Sequence, residues 1–340
     1  MTESKTLVAS SLASSRFVIP KGFVTVAAST VALLVVSAIF AHSSVSHGAI
    51  VGMLPFAAVL AIVGLGQMLV VQQGGIDLSS PGAISLAIVI VSHQPDGDDS
   101  KLLPAVFLAV ALAVSAGLIS GFLVGPMRLN AIIATLGMNA LLYGMVLNIS
   151  GGTPRTTTRL LASIAGGTSL GIPNAVFFAV GALLIVVVMV KKTVVGRRFE
   201  AVGANPDAAR VLGLRSWLHR SSAYVWAQLL YCLAGILLAG ITRQPTAYEG
   251  DSYLLPSVAV VVLGGTSLLG GRGFPVATAV AALFLTQLGQ FVLALGVPNA
   301  VQILVQAAAL AVGVGIYTVD WVSVRTWLTR GLSAASVATS

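Results

Sequence analysis

The sequence predicts an all-α integral membrane protein with about ten transmembrane helices, and three of its features support this fold class. Hydrophobic residues make up 57% of the 340 residues and charged residues only 8%, against about 25% in an ordinary globular domain. Charge-free stretches are long enough to cross a bilayer, and basic residues concentrate on one predicted side. Water could not solvate a compact form of so apolar a chain, so we expect lipid to be its solvent.

Charge-free intervals set the helix count, because a spanning helix needs roughly 20 apolar residues and tolerates charge poorly at its centre. The 55 residues between Lys21 and Asp77 allow two crossings with a turn around 43–48, and the 47 residues between Arg272 and Asp320 allow two more. Six other intervals allow one crossing each: 78–95, 102–127, 129–154, 160–190, 221–242 and 252–271. The sequence therefore predicts a transmembrane domain at 22–320 between tails at 1–21 and 321–340.

The distribution of basic residues predicts which side of the membrane each loop occupies. An even number of crossings puts both termini on one side, and the positive-inside rule makes that side cytoplasmic. The inward segments then hold 14 of the 18 lysines and arginines, and the outward loops keep Lys101, Arg155, Arg159 and Arg243. The net charge of +8 thus indicates topology and contact with anionic lipid, not nucleic-acid binding.

The first apolar stretch, residues 22–41, has two interpretations. It exceeds the 7–15 apolar residues usual in a cleaved signal peptide. The length favours an uncleaved first helix, with a signal peptide as the alternative.

One polar segment, 191–220, is long enough to work outside the membrane on the predicted cytoplasmic side, and it carries seven basic and two acidic residues. Its middle predicts a short helix with both ends specified. Asn205 suits the N-cap, Pro206 the first turn, and Asp207 the positive end of the helix dipole. Gly213 suits the left-handed residue that follows such a helix.

A helix of about two turns is marginal in isolation, so this one must dock on something. Its support is either its own transmembrane bundle or a partner protein. The small side chains of Ala208 and Ala209 allow close approach, and Arg210 and Arg215 could anchor an acidic partner surface.

Two glycine pairs interrupt apolar runs, Gly74-Gly75 and Gly264-Gly265, 190 residues apart. Transporters often carry broken helices at corresponding places in two halves. The matching breaks indicate either an internal repeat or a chance pairing of glycines, which are frequent in membrane helices.

Several polar residues lie within the apolar regions. Asp77 either caps the helix that follows, with its carboxylate on the N–H of Ser79, or lines a path through the membrane. Thr135, Asn139 and Tyr143 share one helix face at a spacing of four. Such residues usually form hydrogen bonds between helices, and together they could also hydrate a path for a neutral, hydroxyl-rich solute.

Missing features narrow the function. The sequence contains no proton relay, gating-charge helix or metal-ligand cluster, and no Gly-x-x-x-x-Gly-Lys phosphate loop. We therefore expect no enzyme activity and no metal, and an energy source on another chain. A self-sufficient secondary transporter or channel is the alternative of a different class, but it would need its own ion-coupling charges.

Three blocks, in this order, resemble the permeases of bacterial monosaccharide ABC importers of the ribose type, and the resemblance covers nearly all of 20–320. The first block is Gly-Gly-Ile-Asp-Leu-Ser at 74–79. The second, at 196–213, is Gly-Arg-Arg-Phe-Glu-Ala-Val-Gly-Ala-Asn-Pro-Asp-Ala-Ala-Arg-Val-Leu-Gly. It resembles the loop that receives the ATPase, with Asp207-Ala208-Ala209 and Gly213 at the family's Glu-Ala-Ala and Gly spacing. The third is Val-Val-Leu-Gly-Gly-Thr-Ser-Leu-Leu-Gly-Gly-Arg-Gly at 261–273.

The resemblance implies an ABC importer permease fold in the bacterial inner membrane and alternating access for a monosaccharide or similar neutral polyol. It implies ABC ATPase subunits that bind ATP and Mg²⁺, a periplasmic or lipid-anchored sugar-binding protein, and a second permease copy or paralogue. Related importer permeases for nucleosides, branched-chain amino acids or furanoses share this architecture and remain alternatives.

The candidate site has two parts. ATPase coupling is implied for Glu200, Gly203, Asn205, Pro206, Asp207, Ala208, Ala209, Arg210 and Gly213. The candidate translocation pathway consists of Gly74, Gly75, Asp77, Ser79, Thr135, Asn139, Gly264, Gly265, Thr266 and Ser267.

Some features are particular to this chain. The family usually continues its first block with Val-Gly-Ser, whereas this chain has Ser80-Pro81-Gly82, which predicts a stiffer start to the next helix.

We expect the binding protein to contact the outer loops 94–101 and 242–253. Plain connecting loops are the alternative.

Overall fold

The structure is a computed structural model that describes residues 21–298, 300, 301, 303–305, 307, 308 and 311. The predicted tails, apart from residue 21, and most of the last predicted crossing lie outside the described residues. The described part forms twelve α-helices: α1 Lys21–Phe40, α2 His47–Gln72, α3 Ser80–His93, α4 Leu102–Val124, α5 Ala131–Ser150, α6 Arg159–Gly166, α7 Asn174–Val187, α8 Val194–Ala204, α9 Pro206–Val211, α10 Ser216–Thr242, α11 Leu254–Leu263 and α12 Pro275–Ala294.

Shorter elements join these helices. Two-residue strands, β1 (Thr168–Ser169) and β2 (Ile172–Pro173), pair antiparallel before α7. A π-helical turn at Val188–Lys192 extends α7. The chain also forms 3-10 turns at His42–Val45, Asp99–Lys101 and Glu249–Tyr253.

Within the described residues, 7 helical segments are long and apolar enough to cross a membrane: Gly22–Phe40, His47–Gln72, Asp99–Val124, Ala131–Ser150, Asn174–Lys192, Ser216–Thr242 and Pro275–Ala294. Helices α3 and α11 have only 14 and 10 residues. At 1.5 Å per residue they measure about 21 and 15 Å, less than the hydrocarbon core of about 30 Å. Two predicted crossings therefore contain short helices beside the glycine breaks, and the total of ten crossings stays a prediction.

The centre of the bundle is the pair α2 and α10. Helix α2 is buried continuously from Ala57 to Gln72, and it packs against α7, α10, α11 and α12. Helix α10 packs against α3, α4 and α6 on its other sides. Helix α3 is enclosed by α4, α5 and α10 and is buried from Ser80 to Ser92.

Three glycines, Gly117 and Gly121 on α4 and Gly125 directly after it, form what we call the glycine seam against α10. A Cβ on Gly117 would lie 2.6 Å from the Cα of Val225, and one on Gly121 would lie 2.7 Å from the carbonyl oxygen of Ser221. The Ser221 hydroxyl also donates to the Gly121 carbonyl at 2.6 Å. Small residues at a spacing of four let membrane helices approach at backbone distance, so the seam fixes α10 tightly on α4.

The loops gather at two ends of the bundle. The acidic end holds 94–101, 151–173 and 243–253, which meet through hydrogen bonds and an Asp96–Arg155 ion pair of 2.6 Å. The basic end holds 125–130 and 188–215 among others, together with the loop after α11. This grouping is the one that the charge distribution predicts.

Candidate functional site

The first glycine break ends α2 in a Schellman motif, the hydrogen-bond pattern that commonly closes a helix. The Gly74 N–H donates to the Val71 carbonyl at 2.9 Å, and the Gly75 N–H donates to the Val70 carbonyl at 3.2 Å. Gly74 has φ +76°, a conformation that glycine adopts without steric cost. The chain then turns back into the bundle toward Asp77.

The carboxylate of Asp77 lies in the protein interior with 0% exposure. Its Oδ1 accepts hydrogen bonds from the Ser79 N–H at 2.9 Å and the Ser79 hydroxyl at 2.5 Å. The Gln228 amide on α10 donates to the same hydroxyl at 2.6 Å. Among the described residues, Oδ2 has no hydrogen-bond partner. The cap predicted from the sequence is therefore a turn that Asp77 closes just before α3.

Gln67 on α2 fixes the backbone of Asp77. In the amide orientation that satisfies its neighbours, Gln67 donates to the Asp77 carbonyl at 3.1 Å and accepts from the Asp77 N–H at 3.2 Å. The Tyr231 hydroxyl on α10 lies 2.8 Å from the same amide. Buried backbone groups require such partners, so α2 and α10 together hold the re-entrant segment.

Thr135 and Asn139 on α5 hold the start of α3. The Thr135 hydroxyl accepts from the Leu78 N–H at 2.9 Å, and the Asn139 amide oxygen accepts from the Gly82 N–H at 2.8 Å. Tyr143, one further turn along, donates to the Asp251 carboxylate. The shared face predicted from the spacing is present, and it forms hydrogen bonds between helices.

The Ser80-Pro81-Gly82 sequence, in which this chain departs from the family pattern, fits the packing of α3 against α5. Pro81 occupies the first turn of α3, where its missing N–H has no intrahelical role. A Cβ on Gly82 would lie 2.8 Å from the Asn139 amide oxygen. The departure from the family pattern is thus accompanied by close packing of α3 on α5.

The second glycine break repeats the geometry of the first. The Gly265 N–H donates to the Val262 carbonyl at 2.8 Å, and the Thr266 N–H donates to the Val261 carbonyl at 3.1 Å. Gly265 has φ +85°. Both helices end in the same motif, but the left-handed residue is the first glycine of the first pair and the second glycine of the second pair. Because this motif closes many helices, the internal repeat stays a prediction.

Helix α9 has the ends that the sequence predicts. The Asn205 side chain accepts from the N–H groups of Asp207 and Ala208 at 3.1 and 3.0 Å, and Pro206 lies in the first turn. The helix ends in a Schellman motif with Gly213 at φ +79°. Ala209 is buried toward the bundle.

The far side of α9 is apolar and open. Val211 is 88% exposed and Leu212 is 79% exposed. Both flank the end of the helix beside the exposed Arg210. The docking of a further protein on this exposed surface stays a prediction.

The carbonyl of Gln72 is the point where the three sequence blocks meet, and we call this contact the Gln72 junction. The Gly271 N–H donates to the Gln72 carbonyl at 3.0 Å. A Cβ on Gly203 would lie 2.0 Å from the same oxygen. The neighbouring Gln73 amide donates to the Phe199 carbonyl at 2.8 Å. Helix α8 is therefore docked by its backbone on the end of α2 and on the loop that follows the second glycine break.

Charged side chains surround the junction. Glu200 lies 3.7 Å from both Lys191 and Arg272, and Lys191 stands 5.5 Å from the centre of the Phe274 ring. Arg272 is 81% exposed, so each ion pair contributes about 1 kcal/mol at most. Backbone contacts, more than these charges, position α8.

Hydrogen bonds order the acidic-end loops, both within a loop and between segments. The Ser100 hydroxyl and N–H donate to Asp98 and lower the pKa of this exposed carboxyl. The Asp99 carboxylate accepts from the Leu160 N–H, and Glu249 accepts from the Thr246 hydroxyl, each at 2.9 Å. The role of these loops in binding-protein contact stays a prediction.

The structure brings together part of the candidate residue set. Gly203, Gly74 and the loop after Gly265 meet at the Gln72 junction, whereas Asp77 and Thr135 are fully buried deeper among α2, α5 and α10. The candidate set omits Phe199, Gly271 and Tyr231, and it omits Gln67 and Gln72, which the sequence marks only as polar residues within apolar runs. A further Gly-Gly pair at 270–271, separate from the two glycine breaks, was the sequence feature that could have indicated the junction.

Long apolar helices packed around two broken ones, with a docked helical loop at the basic end, define a multi-pass membrane permease. The chain belongs to the family described as branched-chain amino acid transport system / permease component, which matches residues 49–314. It is a multi-pass inner-membrane protein, and the resemblance to ribose-type ABC importer permeases is confirmed.

Three relatives illustrate the range of the family. The ribose import permease protein RbsC of Escherichia coli (strain K12) is 34% identical over 296 residues, 84% of this chain and 91% of the relative. The galactofuranose transporter permease protein YtfT of Escherichia coli (strain K12) is 30% identical over 266 residues, 77% of each chain. The fructose import permease protein FruF of Bifidobacterium longum (strain NCC 2705) is 28% identical over 256 residues, 74% of this chain and 72% of the relative. No solved structure matches the chain significantly.

Proposed function

We propose that this chain is the transmembrane permease subunit of an ATP-binding cassette importer for a monosaccharide or a similar neutral polyol. It works as a pair with a second copy or paralogue. ATPase subunits that bind ATP and Mg²⁺ drive it, and a periplasmic or lipid-anchored binding protein delivers the solute. The observation that carries the proposal is α9, which exposes Val211 and Leu212 while the preceding helix α8 docks on the end of α2 and on the loop after the second glycine break.

The Gln72 junction supplies a route for coupling. A displacement of α9 passes directly to α8, because the two helices meet at Asn205. From α8 it reaches Gln72 and Gly271 through backbone contact. Closely packed backbone transmits displacement with little loss, so ATPase closure would shift both breaks together and change the access of the pathway.

The choice of a sugar over a branched-chain amino acid has two supports. The relatives described above are named for ribose, galactofuranose and fructose. A cavity of about 600 Å³ opens between α2, α11 and α12 near the acidic end, lined by Glu249, Ser252, Thr286 and Gln290 among others. None of the described lining residues is lysine or arginine, and Ser252, Thr286 and Gln290 offer hydrogen-bonding partners for sugar hydroxyl groups.

Uptake in liposomes tests this function. The chain is reconstituted with its neighbouring ATPase and binding protein, and labelled pentoses, hexoses and leucine are offered in turn. We expect sugar uptake that requires both ATP and the binding protein. If leucine is the only solute taken up, the chain is a permease of the amino-acid branch. If a solute crosses without ATP through the chain by itself, the chain is a channel or secondary transporter.

Gly213→Val is expected to reduce coupling while leaving the transmembrane bundle folded. Space is not the obstacle, since no atom lies within 4 Å of the added Cβ. The left-handed backbone costs a β-branched residue about 1–2 kcal/mol, which loosens the end of α9. Uptake per ATP hydrolysed should fall.

Gly213→Asn is the matched control, because asparagine tolerates the left-handed conformation. It should couple like the original chain. Equal coupling in both variants would show that the end of α9 is irrelevant to the stroke.

A further inference from the structure

A cavity of about 510 Å³ lies at the basic end, between the end of α4, the start of α10 and the first turn of α9. It is separate from the Gln72 junction and from the cavity near the acidic end. Three arginines line it: Arg128 in the turn after α4, Arg210 on α9 and Arg220 on α10. Elements distant in sequence thus direct the same chemical group to one place.

The positive charge in this cavity is not balanced by the protein that surrounds it. No described lining residue is aspartate or glutamate. Arg128 and Arg220 form no ion pair within the described part of the chain. Arg210 lies 3.2 Å from Asp207, whose side chain is 86% exposed, so this pair neutralises little of the charge. The cavity therefore has positive charge available for an external anion.

Guanidinium groups bind phosphate and carboxylate anions well. Each presents a planar fork of N–H donors that matches two phosphate oxygens. Basic pockets between membrane helices on the cytoplasmic side bind the headgroups of anionic phospholipids. The predicted topology places this cavity on that side.

The walls of the cavity continue into the lipid-facing surface. Phe122 and Trp217 border it and are 58% and 46% exposed. Tryptophan is enriched at the level of lipid headgroups. Toward the membrane centre, α4 presents Leu118 and Ile119, 58% and 50% exposed. A ligand held here by phosphate therefore has an apolar surface along which acyl chains can lie.

We propose that this cavity binds one anionic phospholipid, with its phosphate held by Arg128 and Arg220 and approached by Arg210. The apolar surface of α4 favours a lipid over an acidic protein segment, which would gain nothing from Leu118 and Ile119. Because Arg210 belongs to α9, the bound lipid also links the coupling loop to the bundle.

Native mass spectrometry of the full chain, purified in detergent and titrated with phosphatidylglycerol or phosphatidylcholine, tests the proposal. We expect the chain to retain phosphatidylglycerol selectively. The variant R128Q/R220Q should retain it roughly thirtyfold less, since each of the two juxtamembrane cations contributes roughly 1 kcal/mol to anionic lipid binding. The control K192Q/R197Q removes the same charge from exposed positions outside the cavity and should bind as the original chain does.

Three outcomes would overturn the lipid site. If R128Q/R220Q retains as much phosphatidylglycerol as the original chain, the arginines do not bind the lipid. Displacement of the lipid by millimolar inorganic phosphate would make the cavity a free-anion site. Unchanged lipid retention with lost ATPase association would make it a protein-docking surface. If R128Q/R220Q does not fold, R128K/R220K keeps the charge but loses the fork, and it should show an intermediate loss.

Discussion

Replacing Gly203 with alanine is expected to uncouple ATP hydrolysis from solute uptake in the reconstituted importer. The added Cβ would lie 2.0 Å from the Gln72 carbonyl oxygen, and it would also crowd the Gln72 carbonyl carbon at 3.1 Å. Both atoms are backbone, so α8 must move away from α2. Overpacking of this kind costs about 1–3 kcal/mol, or roughly tenfold or more in the population of the docked loop.

The measurement is the ratio of solute transported to ATP hydrolysed in liposomes that contain the variant. We expect hydrolysis to continue and uptake to fall. Gly137→Ala is the matched control, because no atom lies within 4 Å of its added Cβ on α5; it should transport normally. A folded Gly203→Ala variant with normal transport would remove the Gln72 junction from the coupling route.

Replacing Asp77 with alanine is expected to lower both the membrane yield and the thermal stability of the chain. The carboxylate accepts two hydrogen bonds from Ser79 at a position with 0% exposure. Removing it leaves buried donors without an acceptor, which costs about 1–3 kcal/mol for each. Thermal unfolding in detergent, followed by the loss of monodisperse protein, measures the effect.

Asp77→Asn separates the hydrogen bonds from the charge. Its side-chain oxygen can still accept from Ser79, so we expect near-normal stability. Lost uptake in this variant, at normal yield, would assign the charge a role in transport. Normal yield and stability in Asp77→Ala would contradict the structural role argued from the buried contacts.

Local features of the fold were within reach of the sequence. The cap at Asn205 and the left-handed Gly213 depend on residues within one turn, so residue type specifies them. The turn after α1 also lies where the charge-free interval required it, at His42–Val45. These predictions succeeded because short-range sterics and hydrogen bonding decide them.

Other features depend on contacts between distant segments. The crossing predicted for the interval 160–190 is present as the apolar segment Asn174–Lys192, but α6 and the β1–β2 pair, which precede it, were not predicted. Hydropathy cannot distinguish a surface helix from a spanning one when both are apolar. The Gln72 junction joins backbone atoms of three segments, and side-chain chemistry carries no sign of such a contact beyond the glycines themselves.

The glycine seam sets the pattern of mutations that the gene can tolerate. Every missense change in a glycine codon adds at least a Cβ, and the seam has no room for one against α10. A saturation-mutagenesis map of α4 and Gly125 should therefore show intolerant codons at 117, 121 and 125, four positions apart. Codons for Leu118, Ile119 and Phe122, whose side chains are 58, 50 and 58% exposed, should accept most apolar replacements. The surviving alleles alone would then reveal which side of α4 faces its neighbour.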